Sequence, residues 1–201
     1  MNSKPWKKMS AAEKRVAIAY DVIAAARKPN IKVTKGKYFV ETNGPKNNFG
    51  CTIADKNKCE VCAKGGLMLA FMGRTGKKFN KEIDPESEGF YIHKVNGKFQ
   101  RIMNDAIITD ALSDIFGDAL TLIEHCFEGW TDRCSKGGFD EFYNWDHSKW
   151  TPMNPAEIIP FKRIRDSRKR LIGIMGNIIA NNGDFVASEG PIFTVKVEVA
   201  L

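Results

Sequence analysis

Cys59-Glu60-Val61-Cys62-Ala63-Lys64-Gly65-Gly66-Leu67-Met68-Leu69-Ala70-Phe71-Met72 changes character midway: a polar approach carrying two thiols becomes an almost unbroken apolar run. The run is too short for a membrane span and suits a short buried helix, expected over residues 61–72. Gly65 and Gly66 lower helix propensity there but let a neighbouring backbone come close. A thiol where a loop becomes a helix has three available roles. The helix dipole can lower its pKa, a metal can bind it, or it can fill the core as a small apolar side chain.

Upstream, Ser10-Ala11-Ala12-Glu13 is a capping-box pattern, and Val16, Ala17, Ala19, Tyr20, Ile23 and Ala24 follow at helical spacing. A first helix is expected over 10–28, ended by Pro29, with residues 1–9 as a flexible lead-in. Short extended segments follow at 31–33 and 37–40, and the Asn-, Gly- and Lys-rich stretch 41–58 reads as a loop.

Downstream, residues 89–94 and 98–102 flank Asn96-Gly97, a strong hairpin signal. From 104 to 127 the apolar residues keep a helical period, which Gly117-Asp118 divides into two helices, with Asp118 placed to cap the second. Residues 129–153 form an aromatic-rich insert holding Trp130, Trp145 and Trp150, three of the chain's 4 tryptophans. Asn154-Pro155-Ala156-Glu157 then starts a long last helix, expected to bend near Pro160 and to stop at Asn181-Asn182-Gly183. Residues 192–199 alternate as a closing strand.

These elements predict one α+β domain over 1–201, dominated by about five helices. Its small antiparallel sheet is expected from 37–40, 90–93, 98–102 and 192–199. The chain is 201 residues long, 43% hydrophobic and 27% charged, enough for one substantial core. No membrane-spanning run or secretory leader is evident, so a cytoplasmic location without membrane association is expected. The 5 cysteines are odd in number and unevenly spaced, which favours reduced thiols over a disulfide framework.

Several residue groups could carry chemistry. Cys51, Cys59 and Cys62 contain a Cys-x2-Cys pair of zinc-knuckle spacing, but this is half of a tetrahedral site; Cys134, His93 or His147 would have to complete it. No cofactor is therefore assigned, with zinc as the candidate. Cys62 followed by His93 has the chain order of many cysteine hydrolases, in which an imidazole keeps the sulfur ionised. His125, beside Cys126 in an apolar stretch, reads as a packing residue, and Gly173-Ile174-Met175-Gly176 lacks the strand and Gly-Lys-Ser/Thr context of a phosphate loop.

Charge points elsewhere. The chain carries 31 Lys+Arg against 24 Asp+Glu, a net +7, which favours polyanionic partners. Lys162-Arg163-Ile164-Arg165 with Arg168-Lys169-Arg170 concentrates that charge. On a continuous helix Lys162 would align with Lys169, and Arg163 with Arg170, giving a face able to hold phosphates. Trp130, Tyr143, Trp145 and Trp150 of the insert are the candidate contact residues for a protein partner, because tryptophan and tyrosine dominate binding hot spots.

Cys62-Ala63-Lys64-Gly65-Gly66-Leu67, together with Arg15-Val16-Ala17-Ile18-Ala19-Tyr20-Asp21-Val22-Ile23, resembles the Cys-Ala-x-Gly-Ala-Leu segment and first helix of uncharacterised small proteins encoded by bacteriophages and bacteria. Gly66 stands where those proteins carry Ala. Leu171-Ile172-Gly173-Ile174-Met175-Gly176-Asn177-Ile178-Ile179-Ala180-Asn181-Asn182-Gly183 is similar to their C-terminal helix. The resemblance implies a phage accessory protein that takes over a host factor or counters host defence, and it supplies no active site. The resulting expectation is a non-enzymatic protein that binds or sequesters a host macromolecule or a nucleotide signal. A cysteine hydrolase using Cys62 and His93, and a nucleic-acid-binding module using the 162–170 face, are the alternatives.

Overall fold

The computed structural model describes residues 4–35, 39–41, 59–76, 90–95, 98–103, 106–129 and 155–194. Helices dominate these segments: α1 (Ala11–Ala26), α2 (Ala63–Thr75), α3 (Ala106–Phe116), α4 (Ala119–Glu128), α5 (Pro155–Lys162) and α6 (Ser167–Ala180). The strands are β1 (Ile31–Val33), β2 (Phe39–Glu41), β3 (Cys59–Val61), β4 (Phe90–Val95) and β5 (Lys98–Met103).

The capping box at α1 forms as its residues dictate. The Ser10 hydroxyl accepts from the Glu13 amide at 3.2 Å, and the Glu13 carboxylate accepts from the Ser10 amide at 2.7 Å. Residues 4–9, expected as a flexible lead-in, contain a 3-10 turn at Trp6–Lys8, and the Trp6 ring meets Phe71 edge-on at 6.1 Å. α1 buries Ile18, Ala19, Val22, Ile23 and Ala26 against α2 and α6. These side chains join Leu67 and Met68 of α2, Leu112 of α3, Ile123 and Phe127 of α4, Ile158 and Phe161 of α5, and Leu171, Ile174, Met175 and Ile178 of α6 in one apolar cluster.

The sheet differs from the expected small antiparallel one. β3 lies between β1 and β2, parallel to β1 (Ile31 opposite Cys59, Val33 opposite Val61) and antiparallel to β2 (Phe39 opposite Val61, Glu41 opposite Cys59). β4 and β5 form a separate antiparallel pair. Its register places Val95 opposite Lys98, as a two-residue turn at Asn96-Gly97 requires. The central strand is Cys59–Val61, which lies between the loop expected over 41–58 and the expected helix and takes Val61 from that helix: three residues are too few to display an alternation, and β3 is specified by its two partners. Of the closing strand expected over 192–199, residues 192–194 are outside any strand, and the Ile192 amide donates to the Gly173 carbonyl at 3.1 Å. Residues 195–201 lie outside the described residues.

Two helix boundaries also depart from expectation. Gly117 does divide α3 from α4, in the left-handed region at φ +55°. Asp118, however, already has helical backbone angles (φ −60°, ψ −22°) and its carboxylate makes no capping bond. The long last helix is two helices. It breaks over Arg163–Asp166, after Pro160, because Asp166 adopts an extended ψ of 114° and caps α6 by accepting from the Lys169 amide at 2.9 Å.

The end of α6 sets the α1–α6 packing. Asn182 (φ +53°) and Gly183 (φ +105°) turn the chain, with the Gly183 amide donating to the Ile178 carbonyl at 2.8 Å. A Cβ on Gly183 would lie 2.5 Å from the Ala12 carbonyl oxygen, so a glycine is required on both counts. Asn177, fully buried, holds the following segment: its Nδ2 donates to the carbonyls of Val186 (2.8 Å) and Gly190 (2.7 Å), and its Oδ1 accepts from the Val186 amide (2.9 Å). Among the described residues no helix is long and apolar enough to cross a membrane.

Candidate functional site: the cationic junction between α5 and α6

The Cys62 thiol is the natural starting point, and its surroundings are those of a core residue. Cys62 caps α2, with Sγ accepting from the Gly65 amide at 3.5 Å, and only 2% of the residue is exposed. A helix N-terminus alone would favour thiolate. Here burial dominates and pushes the thiol up to about 12; the Gly65 hydrogen bond opposes this, while the nearby carboxylates of Glu124 and Glu128 add to it. Cys126 behaves alike, raised to about 12 by burial and by Glu157. Burial thus shifts both thiols away from thiolate, the opposite of the activation a cysteine hydrolase needs at Cys62.

His93 lies on β4 opposite Gln100. Cys59 lies at the start of β3. Cys51, Cys134 and His147 lie outside the described residues, as do Trp130, Tyr143, Trp145 and Trp150, so the zinc half-site and the aromatic insert have no described geometry. Among the described residues no group of three His, Cys, Asp or Glu side chains could hold a metal ion. His125 is buried, in line with a packing role.

The basic segment 162–170 is rearranged by the α5–α6 break. Lys162 with Lys169, and Arg163 with Arg170, no longer share a continuous helix face. Arg170 leaves the candidate binding set altogether: it is 2% exposed, and its guanidinium faces inward. It donates to the Phe127 carbonyl at the end of α4 (2.6 Å), to the Lys162 carbonyl at the end of α5 (3.0 Å) and to the Ile164 carbonyl in the break (2.9 Å from Nε, 2.5 Å from Nη2). Helix C-termini leave carbonyls without partners, and a planar fork of donors is the side chain that can collect several at once. Burial lowers its pKa, with Glu128 opposing.

Lys35, which follows β1 and is itself exposed, joins Arg170 at the end of α4. Its ammonium donates to the Glu128 carbonyl at 2.9 Å. A Cβ on Gly129, the αL cap of α4, would lie 3.3 Å from Lys162 Cγ, 3.6 Å from Arg170 Nη1 and 3.6 Å from Lys35 Nζ. Burial first, then the Arg170 guanidinium and Lys162, lowers the Lys35 pKa against the raising effect of Glu128. Cations at a helix C-terminus offset its negative end, so Lys35 and Arg170 serve α4 itself. The role of Lys35 had no sequence signal, since nothing in residues 31–36 refers to a helix end about a hundred positions later.

What remains outside is a short cationic edge. Lys162, Arg163, Arg165 and Lys169 are all exposed. No ion pair among the described residues engages any of the four. Arg168 is half-buried and fastened to β1 through its bond to the Ile31 carbonyl at 2.8 Å. Among the described residues, Asp166 is engaged in capping α6 and Glu128 is buried.

A shallow groove of about 460 Å³ lies elsewhere, along the outer side of α1 between Met9 and Tyr20, with Arg74 and Asn182 at its margin. Its lining is mainly apolar. Arg74 there is paired with Asp21 and lies 5.9 Å from the Trp6 ring centroid. The groove contains none of the four edge cations.

Comparison of the chain with family models, with curated proteins and with solved structures finds no match. Functional inference therefore rests on the geometry of the chain itself.

Proposed function

We propose that this is a non-enzymatic binding protein that occupies or sequesters a polyanionic host macromolecule or a nucleotide signal through the α5–α6 edge. The observation that carries this reading is the sorting of the basic segment into one buried clamp and four outward cations without acid partners among the described residues: Arg170 fixes the carbonyls of the junction, and Lys162, Arg163, Arg165 and Lys169 emerge around it. Clustered exposed charge of one sign raises the local concentration of oppositely charged ligands. The high pKa and burial of Cys62 weigh against the hydrolase alternative. A phage host-takeover or counter-defence setting is the context suggested by the resemblance of residues 62–67 and 171–183.

Retention on immobilised long-chain polyphosphate tests the reading. The chain carrying Lys162→Glu, Arg163→Glu and Lys169→Glu should elute at markedly lower salt than the native chain while melting at the same temperature. Identical elution of the two would remove the edge as a binding surface.

A further inference from the structure

We infer that the ligand of the α5–α6 edge is the phosphodiester backbone of duplex nucleic acid, gripped without regard to base sequence. This rests on the reading of that edge as a polyanion site and narrows it because the described residues do not supply three other modes of recognition.

The first is groove reading by a helix. A basic run leading into a helix suggests a recognition helix, but α6 buries Arg170, Leu171, Gly173, Ile174, Met175, Gly176, Asn177 and Ile178 and packs on α1, α4 and α5. A helix enclosed in this way cannot enter a major groove, where base identity is read. The second is base stacking on aromatic rings, the usual means of holding single strands. Among the described residues, the rings of Phe161 and Phe127 beside the junction are both fully buried, and exposed Phe193 packs near Gly173, in the middle of α6.

The third is capture of an isolated phosphate or nucleotide. That mode uses a cradle of free N–H groups, often at a helix N-terminus. At α6 the Asp166 carboxylate already takes the Lys169 amide and places a negative charge at that position. Arg170, the innermost cation, has its guanidinium spent on three backbone carbonyls. The remaining cations lie in a row along the chain: Lys162 ends α5, Arg163 and Arg165 stand on either side of Ile164 in the break, and Lys169 is in the first turn of α6. A ligand that complements four exposed cations gathered within residues 162–169 carries several negative charges close together. A duplex, with about one negative charge per 1.7 Å of axis, has the greatest linear charge density of the nucleic acids.

The test uses the full chain and fluorescence anisotropy of 20-base-pair DNA duplexes of two unrelated sequences, the corresponding single strands, and a salt series. Four phosphate contacts predict a slope of log K against log salt of about −3.6 for duplex, and about 0.9 less in magnitude for each of Arg163→Gln and Arg165→Gln. The two duplexes should bind within about threefold of each other, as contacts to phosphate alone imply. Tighter binding of single strands, a sequence preference above about tenfold, or variant slopes equal to the native one would overturn the inference. Absence of duplex binding by a protein whose edge still governs polyphosphate retention would overturn this inference alone. Loss of both behaviours would remove the underlying reading as well. Both residues are exposed, and unchanged melting temperatures for the two Gln variants show that the comparison is between folded proteins.

Discussion

The starts of α2 and α6 are built to one plan and reach opposite chemical ends. In each, the capping side chain accepts from the amide three residues on: Cys62 Sγ from Gly65 at 3.5 Å, Asp166 Oδ1 from Lys169 at 2.9 Å. The α2 start is enclosed by the core, and its thiol is held neutral. The α6 start is exposed, and its carboxylate stands among exposed basic side chains. At Cys62 the helix terminus does not decide ionisation. Solvent access does: desolvation at Cys62 outweighs the amide hydrogen bond and raises the pKa to about 12, against an ordinary thiol value of 9.0.

The contrast is sharpest at Arg170, the one cation of the α6 start that lies inside. Replacing it with Leu would leave the buried Phe127 carbonyl and the part-buried carbonyls of Lys162 and Ile164 without this donor. We expect a loss of about 3–5 kcal/mol in urea unfolding, the range for removing one partner from a buried charged network. Arg170→Lys, which keeps the charge but not the fork, should recover less than half of that. A cost under about 1 kcal/mol for Arg170→Leu would mean that the junction does not depend on the clamp, and the division into inner and outer cations would fail.

Alkaline pH tests the other start. The unfolded thiols ionise near 9.0, whereas folded Cys62 and Cys126 hold their protons to about 12. Between these values the unfolded chain binds fewer protons than the folded one, so the stabilisation present below pH 9 is lost as pH rises towards 12. Each thiol should contribute a slope approaching about 1.4 kcal/mol per pH unit. Urea midpoints from pH 8 to 10 should fall accordingly, and Cys62→Ala should remove about half of the steepening. Rapid alkylation of Cys62 in the native state at pH 7 would contradict the neutral start and reopen the hydrolase reading.

What could be read from sequence follows the same division between local and distant causes. The α1 capping box, the β4–β5 register and the division at Gly117 are written in residues a few positions apart, and each forms as expected. The β1–β3 parallel pairing joins residues 31–33 to 59–61, and no local pattern announces it. The 162–170 segment shows both cases. Its charge is evident from composition, but the break that separates α5 from α6 depends on Asp166 capping one helix and on Arg170 reaching a carbonyl of α4. The burial of Cys62 was legible from the apolar run it introduces; the direction of its pKa was not, because that depends on what closes over it.

Two glycines give the smallest and most discriminating comparison. Both sit inside the helices that flank α1, and by residue type alone either could mark a close approach. A Cβ on Gly173 would lie 2.7 Å from Pro191 Cβ and 3.0 Å from the Phe193 ring, so the segment that bonds back to Gly173 through the Ile192 amide would have to move. Gly173→Ala should therefore destabilise by about 1–2 kcal/mol, as overpacking does. At Gly66 the added methyl would meet Val22 Cγ1 at 3.5 Å and Leu171 Cδ2 at 3.8 Å, which are ordinary contacts. The expectation that Gly66 lets a neighbouring backbone come close is thus corrected: the space there accommodates an alanine. With no clash to offset the better helix propensity, Gly66→Ala should stabilise by about 0.5 kcal/mol, read as a small rise in urea midpoint at unchanged slope. A loss of more than about 1 kcal/mol at Gly66 would show that α1 and α2 are packed as tightly there as the C-terminal segment is on α6.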